Sequence, residues 1–314
     1  MPSRQMANSL GRYLGAVICR SFLVTVKKGI RPKHRRSDFM RSLILTLSIA
    51  AIWVGVPSWA QLSTPNDAGV AMGHVHLNVT NTEALKKFWL ELGGIPTKLG
   101  PFDVMKFPGV FVMLNLRPPA EPPTGGTVGS VVNHVGFKVP DAQKSFAKWT
   151  AAGLKTVSGS NPQQFFLFTP DGLLRIEILE DKSLTVPIAF HHIHYWVGET
   201  GPGGADSVQE IKAWYVKMFG ATPGMRGTNQ ADDLPGVNLT FSQSPTPTVG
   251  TKGRVLDHIG FEVKGLDAFC KRLEASGVKF DRPYARGSTG NVSALLTDPW
   301  GTSIELTEGL NRLQ

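Results

Sequence analysis

The sequence predicts an α+β protein built from four copies of one unit, in which a strand is followed by a helix and about three further strands. Four short segments that begin with or contain histidine alternate apolar and polar residues, as half-buried strands do. A helix-like stretch follows each segment and ends at a glycine, where helices commonly stop. In two copies, a turn with proline and glycine leads to a last strand that contains a glutamate, Glu177 or Glu305.

The first strand and the helix are the clearest elements of each unit. Seven of the eight histidines lie in the strand segments 73–79, 133–139, 191–197 and 257–263. The predicted helices cover 82–92, 142–152, 207–219 and 266–276, and the glycines that end them are Gly93, Gly153, Gly220 and Gly277. Shorter strands are expected at 110–116, 165–169, 173–179, 237–241, 293–297 and 302–307. Connectors rich in Pro, Gly and Thr, 118–129 and 242–253, separate the units.

The first two units are repeated by the last two. His74, His134 and Glu177 recur as His192, His258 and Glu305 at a nearly constant spacing. We therefore expect two homologous domains, an N-terminal one over 70–181 and a C-terminal one over 188–309, with a linker near 181–187.

The charge distribution argues against a nucleic-acid-binding protein. The net charge is +9, but ten of the 33 Lys and Arg residues lie in the first 60 positions, where Asp38 is the one acid. After position 60, basic and acidic residues are equal in number. A nucleic-acid footprint needs a basic face on the folded domain, and this neutral body does not predict one.

Residues 1–60 have the pattern of a basic leader and secretory signal peptide. Basic residues at 33–41 precede an apolar run at 43–56, which is too short for a comfortable bilayer span. Small residues at Ser58 and Ala60 then predict cleavage before Gln61. Met40 is an alternative start, and an uncleaved membrane anchor is the alternative role. Both roles place the residues after position 60 outside the cytoplasm. We therefore expect a periplasmic or secreted protein with no stable membrane insertion once the leader is cleaved.

The repeat resembles the vicinal oxygen chelate superfamily, which includes glyoxalase I, extradiol dioxygenases, fosfomycin-resistance enzymes and bleomycin-binding proteins. The resemblance rests on the histidine-led strands, the helices that end at glycine, and the Thr/Asp-Pro-x-Gly turns before the glutamate strands, and it covers residues 70–309. It implies that paired units form cup-shaped mixed sheets around a metal. The chain would then contain two tandem vicinal oxygen chelate domains.

Two histidines and a carboxylate can hold a divalent metal and leave positions free for a substrate. The resemblance implies that the first-strand histidine of each unit in a pair and the last-strand glutamate of the second unit are the ligands. The sets would be His74, His134 and Glu177 in the N-terminal domain, and His192, His258 and Glu305 in the C-terminal domain. Fe²⁺ is the favoured ion, and Mn²⁺, Zn²⁺, Ni²⁺ and Co²⁺ also suit these ligands.

The C-terminal set is the better candidate for an active site. Arg175 should share the face of Glu177, where its charge would oppose a cation, whereas the C-terminal counterpart is the neutral Ser303. Glyoxalase-type sites usually take a fourth ligand from strands that correspond to 111–115 and 238–242, and neither stretch contains a carboxylate. This departure favours the open, three-ligand site of oxygenases, although a lyase or isomerase stays open.

His76 and His194 should lie on the same face as the ligand two positions before each of them, because side chains two apart on a strand share a face. They could be acid–base groups, partners that orient the ligands, or polar residues that fill the cup. We select His194 as the general base, and Tyr284 or Arg286 as a substrate contact.

Three functions stay open at this stage. The favoured one is a metal-dependent, dioxygenase-like enzyme that acts on a small oxygen-bearing substrate; the alternatives are a glyoxalase-type lyase or isomerase, and a non-catalytic protein that binds a small drug-like molecule. Leu295 stands where extradiol dioxygenases carry a tyrosine, which argues against catechol cleavage. The oligomeric state is also open, a homodimer included.

Overall fold

Residues 62–287 and 291–313 are the parts of the chain that the structure, a computed structural model, describes. The expected leader, residues 1–60, lies outside the described residues. Within the two described ranges, no helix is both long enough and apolar enough to cross a membrane.

The described residues form four units in series. The first contains β1 (Val70–Val79), α1 (Thr82–Glu91), β2 (Ile95–Leu99), β3 (Phe102–Phe107) and β4 (Val110–Leu116). The second contains β5 (Val132–Val139), α2 (Ala142–Ala151), β6 (Lys155–Ser158), β7 (Gln164–Phe168) and β8 (Arg175–Glu180). The third contains β9 (Ala189–Val197), α3 (Ser207–Phe219), β10 (Thr222–Arg226), β11 (Asn229–Leu234) and β12 (Val237–Gln243). The fourth contains β13 (Leu256–Val263), α4 (Leu266–Ala275), β14 (Phe280–Arg286), β15 (Val292–Thr297) and β16 (Ser303–Glu308), and a 3₁₀ helix, Leu310–Leu313, follows it.

The helices start at polar caps and end at the predicted glycines. Asn81, Asp141 and Asp206 each accept a hydrogen bond from a backbone N–H of the helix that follows. At α4 the Glu308 carboxylate does this instead, since it accepts the N–H of Gly265 at 2.9 Å and that of the next residue at 3.2 Å. The glycines at the four helix ends all have positive φ angles: Gly93, Gly153, Gly220 and Gly277.

Each unit contributes four strands to a sheet, and the first strands join two units. Within a unit the first strand runs parallel to the fourth, and the third and second follow antiparallel. β1 then pairs antiparallel with β13, and β5 with β9. This gives two open eight-stranded mixed sheets, ordered β14-β15-β16-β13-β1-β4-β3-β2 and β10-β11-β12-β9-β5-β8-β7-β6. The predicted α+β class with four βαβββ units is confirmed.

The units that share a sheet are not the expected ones. One sheet combines the first and fourth units and the other combines the second and third, so that 70–181 and 188–309 each contribute to both sheets. The expected sheet pairing within each half is therefore wrong.

The connectors between units give the physical reason for this pairing. The short segment 181–188 keeps β8 and β9 in one sheet. The longer connectors, 117–131 and 244–255, pass between the sheets side by side. There the N–H of Val131 donates to the carbonyl of Val249, and the N–H of Val255 donates to that of Gly125, both at 2.9 Å.

Alternate residues of β1 face in opposite directions and separate the core from the polar clusters. Val75 and Leu77 are buried in a hydrophobic core that includes residues of all four helices. This core also joins the sheets, since the ring centroids of Phe107 and Phe137 lie 5.2 Å apart. His74 and the histidine two positions later belong to a polar cluster instead.

Candidate metal centres

Each sheet carries one cluster of histidine and glutamate side chains. The first site comprises His74, His76, His258 and Glu305, and the second site comprises His134, His192, His194 and Glu177. Within each site, one possible ligand atom from every residue lies within 4.8 Å of the others. Strand pairing produces this convergence, because β13 lies between β1 and β16 in one sheet and β5 lies between β9 and β8 in the other.

All six predicted metal ligands lie in these two sites, but in other combinations than expected. His74 joins His258 and Glu305, while His192 joins the residues of the second site. The expected sets are wrong because each took both histidines from one half of the chain, whereas each sheet combines units from both halves. Each site nevertheless retains a glutamate and two first-strand histidines.

In the first site, two histidine nitrogens converge on one carboxylate oxygen. Nε2 of His74 lies 3.1 Å from Oε2 of Glu305, and Nε2 of His258 lies 3.4 Å from the same atom. Both nitrogens are buried, and neither has a hydrogen-bond partner. Ligand atoms about 2.1 Å from a metal and at right angles to each other lie about 3 Å apart. The donor atoms therefore fit neighbouring positions around one ion.

A glycine makes room for a histidine ring across each pair of first strands. His74 pairs with Gly260, and His192 pairs with Gly136. A Cβ atom at either glycine would overlap with the imidazole opposite it. This explains why the second and fourth units read His-x-Gly where the first and third read His-x-His.

Each site has a residue that orients one of its histidines. Oδ1 of Asp257 lies 2.7 Å from Nδ1 of His258, and Oδ1 of Asn133 lies 2.9 Å from Nδ1 of His134. A hydrogen bond at Nδ1 fixes the ring and leaves Nε2 for a metal. Neither residue was predicted from the sequence, although each directly precedes its histidine and could have been found there.

Charge and burial set the protonation of the first site. The pKa of Glu305 is far below its usual range: burial raises it, but the attraction of the adjacent His258 and His74 imidazoles together outweighs burial. Burial lowers the pKa of His74, and that of His76 well below its usual value. Burial also acts to lower the pKa of His258, but Asp257 and Glu305 together outweigh it and raise this pKa. The site thus combines an ionised carboxylate with neutral imidazoles at His74 and His76.

The first site borders a cavity of about 490 Å³ with two different walls. The first unit supplies an apolar wall that includes Leu99, Phe102 and Met113. The fourth unit supplies a more polar wall that includes Arg282, Asn291 and Ser293. A small molecule with one apolar end and one polar end would fit between them.

Met113 in the first unit is at the position equivalent to that of Glu305 in the fourth unit. Met113 on β4 pairs with His76, as Glu305 on β16 pairs with Gly260. In the second site the same position is Thr240, which pairs with His194. Neither residue is a carboxylate, so each site has one glutamate ligand.

The second site contains a guanidinium group. Arg226, the last residue of β10, donates from Nη1 to Oε2 of Glu177 at 3.4 Å. Its Nη2 lies 3.2 Å from Nδ1 of His194, and its Nε donates to Oγ1 of Thr240 at 2.7 Å. This arginine was not predicted from the sequence, because β10 belongs to the third unit and Glu177 to the second.

Arg175 was expected to oppose a cation beside Glu177, but its guanidinium contacts other residues. Its Nη1 donates to Oδ1 of Asn133 at 3.2 Å, and its guanidinium carbon lies 3.9 Å from the ring centroid of Phe166. The arginine that contacts the glutamate is the one from β10.

His194 belongs to the second site and not to the site of Glu305. Its Nε2 lies 2.8 Å from Oγ of Ser242, and its pKa falls to about 2 because of burial and the neighbouring histidines. The corresponding residue beside Glu305 is His76. The expectation that His194 acts beside Glu305 is therefore wrong, since β9 and β16 lie in different sheets.

Tyr284 lies on β14, and its side chain is exposed. It is not among the residues that line the cavity of the first site, whereas Arg282 is. Arg282 donates from Nη2 to Oε1 of Glu305 and, at 3.0 Å, to Oγ of Ser293. On β14, the residue that contacts Glu305 is therefore Arg282.

Comparisons with known proteins agree with this architecture. Residues 204–306 match the model of the glyoxalase/bleomycin resistance protein/dioxygenase superfamily. The crystal structure of glyoxalase I from Zea mays has a TM-score of 0.60 at 15% identity, over 78% of this chain and 94% of that chain. A dioxygenase candidate from Bacillus subtilis has a TM-score of 0.56 at 12% identity, over 79% of this chain and 86% of that chain.

No curated protein matches the sequence. The identities to the two solved structures are low, so these structures show a shared fold. The sequence match to the glyoxalase/bleomycin resistance protein/dioxygenase superfamily thus covers residues 204–306, and the solved structures share the fold of both sheets over 78–79% of the chain.

Proposed function

We propose that the protein is an exported, metal-dependent enzyme that carries out a dioxygenase-like reaction on a small oxygen-bearing molecule at the first site. The observation that carries this proposal is the convergence of His74, His258 and Glu305 beside an open cavity. Export to the periplasm or the medium is part of the proposal and is supported by the sequence of residues 1–60.

Fe²⁺ is the ion that we propose for the first site, held by Nε2 of His74, Nε2 of His258 and Oε2 of Glu305. Two histidines and one carboxylate are the ligand set of many non-haem iron oxygenases, and they leave coordination positions open. The bound ion would supply Lewis acidity and redox chemistry. The absence of a carboxylate at Met113 supports this three-ligand site over the four-ligand glyoxalase type.

Asp257 and Arg282 orient two side chains of the first site. Asp257 holds the ring of His258 through Nδ1, so that Nε2 points to the shared oxygen of Glu305. Arg282 binds the other carboxylate oxygen. Because the side chain of Arg282 is 52% exposed, it can also offer positive charge to an anionic group of a substrate in the cavity.

His76 is the residue that we propose to move a proton. Both of its ring nitrogens are buried without a hydrogen-bond partner, and the ring lines the cavity. Burial lowers its pKa and keeps the imidazole neutral, so one ring nitrogen retains a lone pair that can accept a proton. It takes the role that sequence analysis assigned to His194.

Elemental analysis after anaerobic purification, followed by oxygen-uptake measurements with Fe²⁺, tests the proposal. The substrates would be a panel of hydroxyquinones and 2-oxo acids, with catechols as compounds expected to react poorly. We expect bound metal and oxygen uptake in the wild type, loss of both in His74→Ala and His258→Ala, and retention of uptake in the matched control His192→Ala.

Two results would contradict this proposal. A metal-dependent conversion of substrate without oxygen uptake would favour a lyase or isomerase. A metal-free protein that binds ligands equally well in the presence of a chelator would favour a non-catalytic binding protein.

A further inference from the structure

We propose that Arg226 takes the place of a metal ion in the second site, so that its guanidinium is the resident cation beside Glu177 and His194. The inference concerns the second site. It rests on the proposed function only in taking the first site as the one that holds metal.

The contacts of Arg226 span the second site. Its three nitrogen groups reach Glu177, His194 and Thr240 at 3.4, 3.2 and 2.7 Å, and 19% of its side chain is exposed. The carboxylate oxygen that it contacts, Oε2, is the one that lies 2.8 Å from Nε2 of His192. A metal held by these ligands would therefore share its carboxylate oxygen with a guanidinium, and the two positive charges would repel each other. In the first site, Arg282 also contacts the glutamate, but through Oε1, which leaves Oε2 to the two histidines.

The first site provides an internal comparison at the same position. Arg226 ends β10 and pairs with the first residue of β11, Asn229. Leu99 ends β2 and pairs with the first residue of β3, Phe102. Leu99 lines the cavity of the first site and carries no charge. At this position, the second site therefore has a guanidinium group, whereas the first site has an isobutyl group.

The histidine nitrogens also differ between the two sites. In the second site, Nε2 of His134 lies 3.3 Å from Glu177 and 3.2 Å from Nδ1 of His194, in hydrogen-bonding geometry. Nε2 of His258 and of His74 in the first site, and Nε2 of His192 in the second, have no hydrogen-bond partner. The sites therefore differ at His134, whose Nε2 is already engaged within the protein.

The guanidinium also supplies a structural link that a metal would otherwise make. Arg226 belongs to the third unit and Glu177 to the second, and their ion pair connects the two units of this sheet in addition to the strand pair β5–β9. A buried ion pair with further hydrogen bonds can compensate the charge of a carboxylate without a metal.

Metal titration of the chelator-treated full chain with Zn²⁺ and Co²⁺ tests this inference, with elemental analysis and the visible absorption of Co²⁺ as readouts. We expect one equivalent in the wild type, two in Arg226→Leu, none in Leu99→Arg, and one in the double variant. Glu177→Gln and Glu305→Gln are the matched pair that assigns the wild-type equivalent: only Glu305→Gln should lose it. Thermal unfolding confirms that each variant is folded.

Two equivalents in the wild type, one of them lost in Glu177→Gln, would overturn the inference. A folded Arg226→Leu variant that binds no more metal than the wild type would do the same. If the wild type binds no metal but Arg226→Leu gains one equivalent, the proposed function fails while the role of Arg226 stands. Should Arg226→Leu not fold, the comparison of Glu177→Gln with Glu305→Gln still decides whether the second site holds metal.

Discussion

Nε2 of His74 lies 3.1 Å from Oε2 of Glu305, although the two residues belong to the first and last units of the chain. β1 and β16 lie on either side of β13, and the ring of His74 passes over Gly260 of that strand. His258 on β13 completes the set. Each of the two sites therefore needs residues from both halves of the chain.

Gly260→Ala should disrupt the first site by displacing the ring of His74. The added methyl group would overlap with that ring, so we expect loss of the first-site metal and a decrease in the free energy of unfolding of about 1–3 kcal/mol. Elemental analysis and urea unfolding measure the two effects. Gly198→Ala, with open space around its Cβ, is the control and should leave both quantities unchanged. Wild-type metal content in Gly260→Ala would contradict the arrangement.

Asp257→Asn should weaken metal binding while retaining the fold. The amide can still accept a hydrogen bond from Nδ1 of His258, but it lacks the charge that raises the pKa of that imidazole and increases its basicity toward a metal. We expect an affinity lower by about 10-fold or more, measured by competition with a chelator. The same variant should lower the pKa of His258 in an NMR titration of the metal-free protein. The control is Asn133→Asp, the reverse change in the second site, which should leave the affinity of the first site for metal unchanged. Equal affinities of Asp257→Asn and wild type would refute the role of Asp257.

His76→Gln should separate catalysis from metal binding. If the histidine moves a proton, the variant keeps one metal equivalent and loses turnover by about 100-fold or more. His194→Gln, the corresponding change in the second site, should retain wild-type turnover because His194 lies in the other sheet. Loss of the metal in His76→Gln would instead identify this residue as a ligand.

Asp232→Met should raise stability at neutral and higher pH. Asp232 is fully buried on β11, neither of its carboxylate oxygens has a hydrogen-bond partner, and the corresponding residue on β3 is the core residue Met105. Burial, together with the charge of Asp233, outweighs the attraction of Lys212 and raises the pKa of Asp232 to about 7. Between about pH 4 and pH 7 the folded state therefore binds more protons at this carboxyl than the unfolded state, so its contribution to stability decreases as pH rises.

Urea unfolding at pH 5 and pH 8 measures this effect. We expect the wild type to lose stability relative to Asp232→Met between pH 5 and pH 8, by about 2.5 kcal/mol. The exposed Asp67 provides the control: Asp67→Asn should follow the wild type at both pH values. A constant difference between Asp232→Met and wild type at the two pH values would show that the carboxyl does not titrate in this range.

The units of the fold and the residues of both sites follow from local sequence patterns. Strand alternation, helix caps such as Asp141 and the glycines after the helices act over a few positions, so they can be recognised without the tertiary structure. The repeated His and Glu positions likewise identified all six candidate ligands. Asp257 and Asn133 could have been added from their place before a histidine.

Four strand–helix–strand units and the donor types of two sites can be predicted from the sequence, whereas the units that share a sheet are seen only in the folded chain. The first strands of the four units have similar sequence patterns. Local preferences therefore do not specify which two of these strands pair with each other. The short connector 181–188 and the paired longer connectors make that choice over the whole chain. The pairing of His74 with Glu305 and the contact of Arg226 with Glu177 follow from it, because both join residues of different units.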